Sequence, residues 1–156
     1  MDEEEKIIKN LRKSAMSYLA RYEVSAHQFE NTMKRKLSHL KANSNDLDKT
    51  KIIRNLKNEM ILSKFIDDKR YAETKIRFIR LQGGSERFIY AKLKEKGISN
   101  DIIKSAIDNV DENHENAEMI AAINFIKKKN IGIYYKKNLK NKIDEFELKN
   151  KWYGAL

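Results

Sequence analysis

The stretch from Phe65 to Ile107, FIDDKRYAETKIRFIRLQGGSERFIYAKLKEKGISNDIIKSAI, reads as three short amphipathic helices with their start and stop signals intact. A unit of that size buries its own apolar stripes poorly, and the pattern recurs on either side of it. The chain is therefore expected to be a string of helical modules rather than a pocketed enzyme.

The rest of the composition agrees. Proline is absent and glycine counts only 5 in 156 residues, so few positions force a sharp break or a positive φ. A 40% hydrophobic fraction suffices for a core, and 36% charged residues implies wide solvated helix faces. There is no cysteine, which removes disulfide and thiolate chemistry and fits a reducing cytosol. No apolar run approaches the ~20 residues of a membrane-spanning helix. The N-terminus MDEEEKIIKN opens with acids rather than a basic signal region, so no targeting signal is read and a cytoplasmic location is expected.

Periodicity places the first helix from about Glu4 to Tyr22, with Ile8, Leu11, Ala15, Leu19 and Tyr22 on one side. Ser25 and Gln28 form a capping box for a second helix with Phe29, Met33, Leu37 and Leu40 inside. After a polar loop from Ala42 to Asp48, Thr50 is the expected cap of a third helix carrying Ile53, Leu56 and Met60. In the central unit Asp67 or Asp68 caps a helix with Ala72, Ile76 and Ile79 inward and Tyr71 and Phe78 beside them. Glu73 and Arg77 make an i,i+4 pair.

Gly83-Gly84 ends that helix, and Ser85 caps the next, whose expected core positions are Phe88, Ile89 and Leu93. Lys96-Gly97-Ile98 is a C-terminal stop, with Gly97 left-handed and Ile98 folded back. Ser99 starts a helix packed through Ile103, Ala106, Ile107 and Val110. Beyond the polar joint DENH, Ala117, Ile120, Ile123 and Ile126 share a face, and Asn130-Ile131-Gly132 interrupts it. Tyr135, Leu139, Ile143 and Phe146 follow at helical spacing, and Leu148 to Trp152 makes a short last helix.

The expected fold is all-α, an elongated array of three tandem three-helix repeats over residues 1–63, 64–112 and 113–156, about nine helices in all. Ser25, Phe29 and Met33 fall against Ser85, Ile89 and Leu93 at a constant offset of sixty positions, each set a cap followed by two buried residues. The third copy is compressed. Stacked helical triplets account for the pattern.

Lys+Arg 33 against Asp+Glu 23 gives a net charge of +10, which favours polyanions: nucleic acid or an assembly carrying it. All eight arginines lie at or before Arg87, and Lys127 to Lys142 holds seven lysines and no acid. The binding candidates are Arg77, Arg80 and Arg87, clustered around the glycine turn, and Lys127, Lys128, Lys129, Lys136, Lys137, Lys140 and Lys142. A solvated helix face is the plainer reading of the lysine run. Tyr134 and Tyr135 lie within it and could stack on a base, although Tyr135 keeps step with Leu139 and reads as core.

Enzymatic chemistry finds no footing. Asp67-Asp68 is the one adjacent Asp-Asp pair, yet neighbouring side chains at a helix start diverge and no further ligand follows at metal spacing, so capping is the favoured role. His27, His39 and His114 are scattered. Gly83-Gly84-Ser85 resembles a phosphate-binding turn, but no strand precedes it and no Gly-Lys-Ser/Thr follows, which leaves at most a bare phosphate contact. No nucleophile, base and orienter stand together, and no cofactor or metal is expected. An alternative is an autonomous DNA-binding protein with Phe88 to Lys96 as a groove helix, although that segment has few residues suited to reading bases.

The order Phe65-Ile66-Asp67-Asp68, Tyr71-Ala72, Gly84 and Leu93-Lys94-Glu95-Lys96-Gly97-Ile98 resembles the RecX family of bacterial recombination regulators. Upstream, Tyr18-Leu19-Ala20-Arg21 followed by Ser25 is similar to the opening of that family's first repeat. The third repeat departs from the pattern at Lys142-Ile143, where family members usually carry a glycine and an aromatic. The resemblance implies a non-catalytic monomer that lies in the groove of the RecA filament on single-stranded DNA. There it restrains filament extension, ATP hydrolysis and strand exchange, with weak direct DNA contact and no membrane partner.

Overall fold

The computed structural model describes residues 3–39, 48–135 and 145–156. Among these the chain is entirely helical, with eight α-helices, one 3-10 turn and no strand. The first six helices fall in threes because each carries an apolar stripe, and three stripes facing inward close a small core.

The first group is α1 (Glu3–Leu19), α2 (Ala26–His39) and α3 (Lys49–Leu62). Leu11 and Ala15 of α1, Phe29, Met33 and Leu37 of α2, and Ile52, Ile53, Leu56 and Met60 of α3 form one buried cluster. The Ser25–Gln28 capping box is present: the Gln28 amide donates to Ser25 Oγ at 3.2 Å and the Ser25 amide to Gln28 Oε1 at 3.3 Å. Two expectations fail here. Helix α1 stops at Leu19, and Tyr22 stands 57% exposed because the chain must straighten before Ser25 can cap α2. Asp48 rather than Thr50 caps α3, its carboxylate accepting from the Lys51 amide at 3.0 Å. Leu40 and most of the expected loop lie outside the described residues.

A left-handed Lys64 (φ 59°) then turns the chain so that the Ile66 amide bonds Met60 O, and Ile66 closes the floor of the first core. The second group is α4 (Asp68–Leu81), α5 (Glu86–Lys94) and α6 (Asn100–Asp111). Tyr71, Ala72, Ile76 and Ile79 meet Ile89 and Leu93 and then Ile103, Ala106 and Ile107 in a second cluster. Asp67, Ser85 and Ser99 each cap the helix that follows. The stop at Gly97 is as expected: φ is +74°, the Ile98 amide bonds Leu93 O at 3.1 Å, and Ile98 is buried. Phe78 and Phe88, however, are not core. They are 62% and 47% exposed, because isoleucine and leucine already fill both stripes and one residue step turns a helix by about 100°.

The last described elements are α7 (Ala117–Lys129), a 3-10 turn (Gly132–Tyr134) and α8 (Glu145–Tyr153). Helix α7 packs on α4; of its expected stripe Ala117 and Ile126 are half-buried while Ile120 and Ile123 face outward, and the fully buried position is Ala121. Gly83 is what lets α7 approach the turn: a Cβ there, where φ is +84°, would meet the Phe125 backbone at 2.5 Å. Asn130 ends α7 in the left-handed conformation, and Ile131 folds back and is buried. Tyr135 is not helical. It meets Trp152 of α8 edge to face at 5.7 Å, whereas Phe146 is exposed. Leu139 and Ile143 lie outside the described residues.

Neighbouring groups are held together by polar side chains. Between the first and second, Ser25 Oγ donates to Lys96 O at 2.6 Å, the Ala26 amide donates to Asp68 Oδ1 at 2.8 Å, and Arg70 Nε donates to Glu23 at 2.7 Å. Gly97 lies against His27, where a Cβ would come within 2.5 Å.

Candidate partner-binding surface

The acid pair Asp67-Asp68 is divided between two helices. Asp67 accepts from the Lys69 and Arg70 amides at the start of its own helix, and Asp68 reaches back to the start of α2. The Arg70 amide bond holds the Asp67 carboxyl below its ordinary range, against the opposing effect of burial. Among the described residues no three His, Cys, Asp or Glu side chains converge as metal ligands.

The glycine turn is equally occupied. Glu118 of α7 accepts from the Glu86 amide at 2.8 Å, placing a carboxylate at the amino end of α5 where a phosphate would have sat. The same carboxylate accepts from Arg80 at 2.6 Å. The second fork of Arg80 donates to Asp111 at 2.6 Å, and its Nη1 also reaches Gly84 O at 3.2 Å. Burial alone would lower the Arg80 pKa; its bonds to Asp111 and Glu118 outweigh this, and it stands raised. For Glu118 burial acts upward, and the Arg80 and Glu86 bonds bring it below its ordinary value.

Arg80 is therefore a fastener between the second and third groups, only 11% exposed, and not a solvent-facing cation. Arg77, three positions before Arg80 on the same helix, is 58% exposed and leans on Glu73 at 3.3 Å. Arg87 on α5 is exposed. The three arginines grouped by sequence thus separate into one internal and two external side chains.

Lys127, Lys128 and Lys129 occupy the exposed last turn of α7. Lys127 lies over the Tyr134 ring at 5.4 Å, Lys129 over Phe125 at 5.8 Å, and Lys128 donates to Gln82. Lys136, Lys137, Lys140 and Lys142 lie outside the described residues.

Two open grooves flank the central helices, and sequence reasoning missed both. The first, about 610 Å³, runs between the α1–α2 turn and α4–α5, with Tyr22, Phe78 and Phe88 on its walls and Lys75, Lys92 and Lys96 around it. The second, about 810 Å³, lies between the glycine turn and α7, with Phe125, Lys128 and Lys129. Phe78 and Phe88 line both. The available signal was a surplus: each helix held one aromatic more than its stripe needed.

Two three-helix cores in succession, with aromatic and cationic side chains around open grooves, make a helical-repeat architecture. The family model described as RecX, second three-helix domain, matches residues 67–107, from the Asp67 cap to the last core residue of α6. Residues 67–107 are thus similar to a domain of the RecX family, whose role at family level is regulation of RecA. No significant match was found among curated proteins or solved structures. No described helix is long and apolar enough to cross a membrane.

Proposed function

We propose that this chain regulates the RecA recombinase by lying in the groove of the RecA filament on single-stranded DNA. There it limits filament extension, ATP hydrolysis and strand exchange, without a catalytic step of its own. The match of the RecX domain to residues 67–107 carries this reading. A net charge of +10 and the aromatic, lysine-rimmed grooves support it.

Three three-helix units, over residues 1–63, 64–112 and 113–156, would span more than one filament subunit, since repeats joined only to neighbours make a long surface. The polar fasteners keep that surface pre-organised, which reduces the entropy lost on binding. Arg77, Arg87 and the α7 lysines supply screened attraction to the filament.

The test is RecA ATPase activity on single-stranded DNA in excess over both proteins. Inhibition by substoichiometric amounts of this chain supports filament regulation. Inhibition that disappears as more DNA is added indicates simple masking of the strand.

A further inference from the structure

The first groove has the chemistry of a peptide site. Its apolar walls come from Tyr22, Phe78 and Phe88, which are 57%, 62% and 47% exposed, far more than a packed core would leave. Those walls belong to two helix groups fixed to each other by the Ser25–Lys96 and Asp68–Ala26 bonds, so the cleft exists before anything enters it. A preformed groove of this kind favours a segment that inserts successive apolar side chains.

Charge selects the segment. Lys75, Lys92 and Lys96 border the groove against a single acid, Glu23, whose carboxylate is already taken by Arg70 at 2.7 Å. Lys92 has only an exposed partner, Glu95, at 3.2 Å. Of the three wall aromatics, Phe88 already has a cation over its ring, Lys92 at 5.7 Å, in the place a stacked base would take. No arginine lines the cleft, so the paired hydrogen bonds that hold phosphates are missing there.

We propose that this groove docks an acidic, apolar-bearing peptide segment of RecA, its apolar side chains against Phe78, Phe88 and Tyr22 and its carboxylates on Lys75, Lys92 and Lys96. This deepens the regulatory reading above and rests on it.

The full chain carrying the photo-cross-linker p-benzoylphenylalanine in place of Phe78 is mixed with RecA filaments on single-stranded DNA, illuminated, and the adduct is identified by mass spectrometry. The expected adduct is a RecA peptide with net negative charge and apolar residues. Lys75→Glu and Lys96→Glu combined are expected to lower its yield about tenfold or more, with an unchanged melting temperature. Cross-links to DNA, to a second copy of this chain or to a basic RecA peptide overturn the proposal. So does the absence of any RecA adduct from a chain that still inhibits the ATPase. A parent chain that neither binds nor inhibits filaments overturns the regulatory reading itself, an outcome distinct from a misplaced groove.

Discussion

Asp68 Oδ1 accepts a hydrogen bond from the Ala26 amide at 2.8 Å, across 42 positions of sequence, so the start of α4 satisfies an amide of α2 that the Ser25–Gln28 capping box leaves over. Its neighbour Asp67 serves α4 itself. Two adjacent carboxylates therefore do separate jobs, one local and one that joins two helix groups.

Replacing either by alanine removes a cap worth about 0.5–2 kcal/mol. The loss should differ in location. Asp68→Ala is expected to speed hydrogen exchange at the Ala26 amide, and Asp67→Ala to speed it at Lys69 and Arg70. Unchanged exchange at Ala26 in Asp68→Ala would show that the cross-group bond is absent in solution.

Arg80→Ala should be far more damaging than Arg77→Ala. It leaves Asp111, 18% exposed, without its partner and removes the fork that binds Glu118. A loss of about 2–3 kcal/mol is expected, with Arg80→Lys restoring little because an ammonium cannot serve both carboxylates in the same geometry. Arg77 is an exposed i,i+4 partner and its removal should cost under about 0.5 kcal/mol. Thermal melts of the three variants check the ordering.

Leu93 and Phe88 lie on the same short helix in opposite environments. Leu93→Ala, at a side chain 1% exposed, should lower stability by roughly 2–5 kcal/mol. Phe88→Ala should change it by less than about 1 kcal/mol while weakening filament inhibition. Equal denaturant midpoints for both variants would contradict the placement of Phe88 outside the core.

Glu30 binds Lys34 at 2.8 Å and Lys57 at 2.6 Å, tying α2 to α3. Its hydrogen bonds to Lys34 and then Lys57 lower its pKa from 4.5 to about 2. A carboxyl depressed in the folded state contributes its stability in full above the ordinary value and loses it as pH falls from 4.5 toward 2. Glu30→Gln should therefore be less stable than the parent at neutral pH and lose less on acidification through that window. Parallel stability curves for the two proteins would refute the linkage.

Much of the helical frame was legible because its signals are local. Ser25, Ser85 and Ser99 lie beside the stripes they cap, and Gly97 carries its own stop. The offset of sixty positions between Ser25-Phe29-Met33 and Ser85-Ile89-Leu93 reappears as equivalent caps and fully or nearly fully buried residues. Asp48 displaced Thr50 because two capping residues lay close together and periodicity does not choose between them. What escaped depends on distant partners. Arg80 reads as a surface cation until Asp111 and Glu118 arrive from 31 and 38 positions away. Part of the α7 stripe was misassigned because α7 meets the glycine turn through the Phe125 backbone, an approach that Gly83 allows, and hydrophobicity alone points to the isoleucines. Phe78 and Phe88 became visible as groove walls only when two helix groups were set side by side.

The most direct measurement compares the affinity of the full chain for RecA filaments assembled on a labelled oligonucleotide with its affinity for the same oligonucleotide bare, over a salt series. Tighter binding to the filament, with a shallower salt dependence than on bare DNA, is the expected result. Equal or tighter binding to the bare strand, with a steep salt slope, would make this chain a DNA-binding protein and contradict its action on the recombinase polymer.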